Sequence, residues 1–213
     1  MPPPDSAAVV FGPALATATV FAGVLATRGV EQGLIGPHEV PRLWDRHLLN
    51  CAVVAELIEE RPCETLVDIG SGAGLPGLVL AMVLPDVMVT LLEPMERRCR
   101  FLAECVTELG LANVRVRRCR AEDAARTGLE RADVATARAV APLPRLAELA
   151  VGVIRPGGMV LAIKGSNAAD ELRNAEPVLR RIGAHGAEVV RAGQGKVIPA
   201  ATVVRFFAQQ GRA

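Results

Sequence analysis

The sequence predicts an α/β protein, a seven-stranded and mostly parallel sheet with helices on both faces and an N-terminal helical extension. Two observations predict it. Short apolar runs closed by turn residues alternate at least five times with segments of helical period, the pattern of a parallel sheet wrapped by helices. The conspicuous polar and glycine motifs fall at strand carboxyl ends, at 69–74, 93, 121–122, 138 and 164, where ligands sit in such sheets.

The elements follow in order. Helices are expected over 7–27 and 39–60; in the second, Leu43, His47, Leu48, Cys51, Val54, Ala55 and Ile58 recur at helical spacing, and Arg61-Pro62 ends it. Residues 1–62 form the extension and 63–213 one compact unit. Thr65 to Ile69 reads as a buried strand closed by glycines. A short helix over 75–84, a strand from Val87 to Leu92 and a helix over 95–109 come next. Strands are expected around 114–116 and 133–137, then a helix from Pro144 to Ile154. Arg155-Pro156-Gly157-Gly158 reads as a tight turn into a strand from Met159 to Ile163. A helix over 168–182 and strands near 186–191 and 201–207 complete the series.

With 213 residues, 51% of them hydrophobic, the chain can bury a sizeable core, which excludes a disordered polymer. A net charge of +1 does not by itself imply a nucleic-acid partner. The cations are 22 arginines and only two lysines, which makes Lys164 conspicuous. Five cysteines without CxxC or metal spacing fit reduced thiols in a cytoplasm, and no metal is expected. Residues 1–30 are Ala-rich but lack a basic leader, and Pro13 and Gly23 interrupt them, so no membrane span is expected.

The glycine turn can be parsed two ways. Gly72-Ala73-Gly74-Leu75-Pro76-Gly77 matches the GxGxxG dinucleotide pattern, which alone is weak. Asp68-Ile69-Gly70-Ser71-Gly72-Ala73-Gly74 matches an S-adenosylmethionine turn. Glu93, nineteen residues after Gly74, can accept from both ribose hydroxyls of either ligand. Asp68 tilts the choice: a pyrophosphate needs positive potential beside the turn, whereas a sulfonium and an ammonium suit an acidic neighbour. A bland reading of Asp68 is that it stabilises the turn. Ala121 and Glu122 follow the third strand, where an adenine would lie; a helix N-cap at Asp123 is equally consistent with the spacing.

The chain resembles the bacterial small-subunit ribosomal RNA guanine-N7 methyltransferases, also called glucose-inhibited division protein B. The likeness runs from about Leu43 to Val204. It rests on Arg46-His47-Leu48-Leu49, Asp68 to Gly77, Thr90-Leu91-Leu92-Glu93, Arg97 to Leu102, Ala137-Arg138-Ala139 and Ala162-Ile163-Lys164-Gly165. It implies a Rossmann-like class I methyltransferase fold and S-adenosylmethionine as methyl donor, bound at Gly70, Leu75, Ala121, Glu122 and Arg138. With Asp68, Gly72 and Glu93 these make the expected donor site. The implied reaction is N7 methylation of guanine 527 in the 530 loop of 16S ribosomal RNA. A cytoplasmic monomer acting on that RNA, in the small subunit or an assembly intermediate and away from membranes, is the expectation. Two stretches depart from the family: Gly33-Leu34-Ile35-Gly36 replaces its usual Asn-Leu-Thr, and Glu93-Pro94 replaces Asp-Ser while keeping the carboxylate.

N7 of guanine has an in-plane lone pair and no proton, so the reaction needs alignment rather than a general base. No acid–base residue is therefore expected. Arg138 is assigned to donor and substrate positioning, and Lys164 to an RNA phosphate or guanine O6; the bland alternative for either is a salt bridge to Asp68, Glu93 or Glu122. Arg46, His47 and Arg42, and the cluster Arg97, Arg98 and Arg100, are candidate RNA contacts, against packed or solvated helix faces. Trp44 and Phe206-Phe207 are candidate stacking rings and are expected in the core. Cys63 follows Pro62 but lies off site. Arg138-Ala139-Val140-Ala141 stands where exocyclic amino methyltransferases carry an Asp/Asn-Pro-Pro-Tyr/Phe motif, which argues against that chemistry. A nicotinamide oxidoreductase, and a donor-binding assembly factor without catalysis, are the competing classes.

Overall fold

The computed structural model describes residues 2–126 and 128–210. Seven strands form one sheet: β1 Thr65–Ile69, β2 Met88–Leu92, β3 Val114–Arg117, β4 Ala132–Arg138, β5 Ile154–Lys164, β6 His185–Ala192 and β7 Ala201–Phe207. Their order is β3-β2-β1-β4-β5-β7-β6. β1 to β5 run parallel and β7 is antiparallel to both its neighbours. The order reverses between β1 and β4, which opens a crevice beyond their carboxyl ends.

Among the described residues nine α-helical stretches accompany the sheet: α1 Asp5–Phe11, α2 Leu15–Val24, α3 Leu49–Ala52, α4 Ala55–Glu59, α5 Gly77–Val83, α6 Glu96–Glu108, α7 Ala121–Arg126, α8 Leu143–Val153 and α9 Ala168–Arg181. Successive strand residues face opposite sides. Leu66, Leu91, Val134 and Leu161 pack with the N-terminal helices, α5 and α6. Val67, Leu92, Ala135 and Val160 pack with α7, α8 and α9. Both sheet faces are therefore covered, which explains the near-continuous apolar runs of the central strands.

Several expected elements differ in detail. The helix expected over 7–27 spans Asp5–Gly29 but changes winding at Gly12–Ala14, a 3₁₀ turn that starts with Gly12-Pro13, and at Leu25–Gly29, a π turn. This run, with a mean hydropathy of 2.0, is long and apolar enough to cross a membrane by length and composition alone, a test that core helices also pass. Ala7, Phe11, Ala18, Phe21 and Leu25 pack into the same core as the sheet. The helix expected over 39–60 is a 3₁₀ turn at Pro37–Arg42, where Pro41 cannot donate, then a π turn at Leu43–Leu48, then α3 and α4. Arg155 to Gly158 is not a free turn. It belongs to β5, which starts at Ile154 opposite Ala132 and shifts register before Met159 pairs Val134. Asp123 lies inside α7 rather than at its N-cap.

Asn113 couples three elements. Its amide reaches the carbonyls of Ala81, Leu84 and Val87 at 3.0–3.1 Å, and its own carbonyl accepts from Val89 N–H. It thus ties the end of α5 to the starts of β2 and β3. Asn113→Ala should cost about 1–3 kcal/mol in chemical denaturation, the toll of carbonyls left without donors, with donor affinity unchanged.

Candidate functional site

β1 delivers the chain into a glycine turn in which Gly70, Gly72 and Gly74 have φ of +67, +54 and +88°. Gly70 is doubly constrained, because a Cβ there would stand 2.9 Å from Val140 beyond β4. Gly70 and Ser71 N–H both donate to the Leu92 carbonyl at the end of β2, which pins the turn against the sheet.

Asp68 lies beneath this turn and is fully buried. Its Oδ2 accepts from Gly77 N–H at 3.1 Å, at the start of α5, and its Oδ1 from the Thr136 hydroxyl at 3.2 Å, directly across on β4. Gly77 must be glycine, since a Cβ would lie 2.6 Å from that carboxylate and against Leu91. Burial pushes the Asp68 carboxyl up to about 7. The expectation that Asp68 faces a donor is thereby corrected: it is the support of the turn, because sheet alternation points it at α5.

Glu93 is also buried. Its Oε2 accepts from Gly72 N–H at 3.0 Å and its Oε1 from Met95 N–H at 2.9 Å. Each oxygen keeps acceptor capacity for a ribose hydroxyl. Beside it, Arg98 places Nη1 3.8 Å from Oε2, and its buried Nε–H has no hydrogen-bond partner. Leu75 closes one side of the turn, and Ala121 is buried at the start of α7. Glu122 forms an ion pair with Arg145 of α8. A left-handed glycine turn, a carboxylate at the next strand tip and an unpaired N–H beside it suit a nucleoside donor. The residues present fit S-adenosylmethionine. Among the described residues no group of three or more His, Cys, Asp or Glu could hold a metal.

Beyond β4 and β5 opens a cleft of about 960 Å³. Arg42, Arg46, Arg138, Lys164 and Arg191 line it, with Asp45 and Glu171 as the opposing charges. It lies beside the glycine turn rather than over it; Val140 joins the two, lining the cleft and meeting Gly70.

Arg138 at the tip of β4 reaches back to the N-terminal segment. Nη1 donates to Cys51 Sγ at 3.3 Å, and Nη2 to the Arg46 carbonyl at 3.3 Å and to His47 Nδ1 at 2.8 Å. A guanidinium cannot accept, so His47 is neutral with its proton on Nε2, which donates to Glu39 at 2.8 Å. Burial and the Arg138 charge hold the His47 pKa below its ordinary value. Arg46 pairs with the same Glu39 at 2.9 Å. Ala139 follows at φ +55°, a left-handed conformation costing roughly 1–2 kcal/mol for a side chain, and it turns the chain into the cleft.

Lys164 donates to Glu171 at 2.7 Å and to the Ala141 carbonyl at 3.2 Å. Neither Arg138 nor Lys164 pairs with Asp68, Glu93 or Glu122, the carboxylates the bland reading named; their partners are His47 and Glu171. Trp44 and Phe206 are core residues. Arg97 is exposed and Arg100 pairs with Glu96, so that part of α6 is a solvated face. Burial raises the Cys63 thiol to about 11, a thiol kept protonated and far from the site. The sequence reading missed Glu39, Glu171 and Arg191. Their places are set by tertiary packing around the cleft, and no motif marks them.

The raised Asp68 pKa has a stability consequence. Folding favours its protonated form, so this contribution is complete below the ordinary carboxylate value of about 4 and is lost as pH rises towards 7. Asp68→Asn, whose amide oxygen can accept from Gly77 N–H while its NH2 donates to the Thr136 hydroxyl, should remove that decline. Denaturant midpoints at pH 4 and 7 should converge for the variant relative to the native chain; parallel pH profiles would contradict the buried, uncompensated carboxyl.

Residues 14–196 match the family described as rRNA small subunit methyltransferase G. The ribosomal RNA small subunit methyltransferase G of Thermobifida fusca is 55% identical over 95% of this chain and 84% of its own. That of Mycolicibacterium gilvum is 50% identical over 97% and 90%. Among solved structures, the O-methyltransferase TomG from Streptomyces achromogenes in complex with SAM aligns with a TM-score of 0.55 at 19% identity, over 76% of this chain and 79% of that one. Cofactor-bound Rv0187 from MTB aligns with a TM-score of 0.56 at 18% identity, over 93% and 91%. Those two likenesses are of fold. With the sheet order, the donor turn and the family match together, the chain belongs to the GidB family of rRNA small subunit methyltransferase G proteins.

Proposed function

We propose that this chain transfers the methyl group of S-adenosylmethionine to N7 of guanine 527 in the 530 loop of 16S ribosomal RNA, as a cytoplasmic monomer acting on the small subunit or an assembly intermediate. The observation that carries this reading is the meeting, at Gly70 and Val140, of a glycine turn backed by a carboxylate with a cleft lined by five cations. One half suits a nucleoside donor and the other a polyanion.

When bound, S-adenosylmethionine supplies an electrophilic methyl to a nucleophile in line with its sulfur. Glu93 orients the ribose end, and Ala121 and Glu122 border the adenine end. Arg138 commits three of its five N–H donors to the N-terminal segment, which fixes its plane and leaves two for a ligand. Lys164, at the tip of the neighbouring strand β5 and held by Glu171, would contact guanine O6 or a phosphate. Pairing with Glu171 also screens its charge from a guanine ring that becomes cationic during transfer. No group has to remove a proton, because N7 carries none. Arg42, Arg46 and Arg191 at the rim suit phosphates, so RNA affinity should fall steeply with salt.

Incubation of labelled S-adenosylmethionine with isolated small subunits and with naked 16S RNA tests the proposal. N7-methylguanine is revealed by borohydride reduction and aniline scission; the expected outcome is one new break, at guanine 527. Label on another base, or none on RNA, would sink it. Lys164→Ala should lower methyl transfer by roughly tenfold or more, as loss of a charge-assisted contact does, while donor affinity by calorimetry stays unchanged. Unchanged transfer would remove Lys164 from substrate positioning.

A further inference from the structure

We infer that Ile198, at the tip of the loop between β6 and β7, is an apolar wedge that enters the RNA stack and holds the target guanine splayed into the cleft. The inference rests on the RNA reading above and adds to it a positioning residue.

Ile198 is 93% exposed, the most exposed of the large apolar side chains among the described residues. Its neighbours differ sharply. Val197 is buried in the main core, and Pro199 lines the cleft together with Ala200, Thr202 and Arg191. Ile198 therefore stands on the cleft rim between an anchored residue and a lining one.

The loop is tied down at its base. Gly193 N–H donates to Glu56 Oε2 at 2.9 Å, and Lys196 Nζ donates to Glu56 Oε1 at 2.7 Å. Lys196 and Val197 N–H both bond the Gly193 carbonyl. Gly193 has φ +76°, and a Cβ there would press on Val53 at 2.7 Å, so the loop base packs closely on the N-terminal segment. An isoleucine side chain forgoes about 1.5–3 kcal/mol by staying in water, and the tied loop base holds Ile198 in that exposed position beside the cleft.

The chemistry of the rim identifies that contact. Arg42, Arg46 and Arg191 suit phosphates, whereas an aliphatic tip suits the faces of bases between them. A guanine in folded RNA must leave its stack before N7 can meet the donor, and the gap it leaves costs a few kcal/mol unless something fills it. Aliphatic side chains inserted between base steps do this elsewhere. Among the described residues no aromatic ring, the usual alternative, lines the cleft: Trp44 and Phe206 are buried. Phe207 pairs with Met159 in the middle of β5, whereas Lys164 at the strand end pairs with Thr202, and it carries Arg61 over its ring.

The test uses the full chain and isolated small subunits. Ile198→Ser should slow methyl transfer at saturating subunits by ~10-fold, the share of the unstacking cost an aliphatic wedge offsets. Subunit affinity should change by less than about threefold and keep its salt slope, because the phosphate contacts are intact. Ile198→Leu should restore the rate. An unaffected Ile198→Ser rate overturns the inference. So does a fall in affinity matching the fall in rate, which would mark a docking contact, with ribosomal protein or RNA surface, rather than a wedge. Failure of the leucine variant to restore the rate overturns it as well. Native protein that transfers no methyl to RNA would overturn the parent reading, an outcome visible before any variant is made.

Discussion

Asp68 has no contact with solvent, yet its two carboxylate oxygens join three elements: β1 that carries it, β4 through the Thr136 hydroxyl, and the start of α5 through Gly77 N–H. A buried carboxyl is costly, and the burial is expressed in a pKa raised to about 7. What the cost secures is the shape of the glycine turn. With the first helical N–H held from below, the loop between Ile69 and Gly77 arches over the sheet, and Glu93 catches Gly72 from the next strand. The donor half of the site is thus fixed by two carboxylates that act on backbone N–H groups.

The proposed substrate half depends on a different join. Arg138 leaves β4 and is clamped by Cys51, the Arg46 carbonyl and His47, with Glu39 behind the imidazole. The N-terminal helical segment is in this way part of the site wall. A protonated His47 could not accept from Arg138, so the clamp requires the neutral imidazole that burial favours. Left-handed Ala139 stores local strain next to this clamp and carries the chain to Val140, where the two halves touch.

The charges of the cleft are not simply an arginine-rich surface. Lys164 is oriented by Glu171 and the Ala141 carbonyl and Arg138 by Cys51, the Arg46 carbonyl and His47, whereas Arg97 and Arg100 lie along an exposed helix face. Orientation is what separates recognition of a base or phosphate from general attraction to RNA.

The sequence by itself determined the strand–helix alternation, the glycine turn, the carboxylate at Glu93 and the placing of Arg138 and Lys164 at strand ends. Each is local, a matter of period, turn chemistry or spacing along one chain segment. The tertiary structure alone decided which way Asp68 points, because only sheet pairing sets which face it occupies. It alone brought His47, with Glu39 behind it, to Arg138, and set Glu171 of α9 against Lys164, pairings that no spacing along the chain announces. It also turned the expected 39–60 helix into short 3₁₀, π and α pieces, where packing against the sheet overrode helical period. Ile198 was invisible for the same reason: one isoleucine in a glycine-flanked loop has meaning only once β6 and β7 bring it to the rim of the cleft.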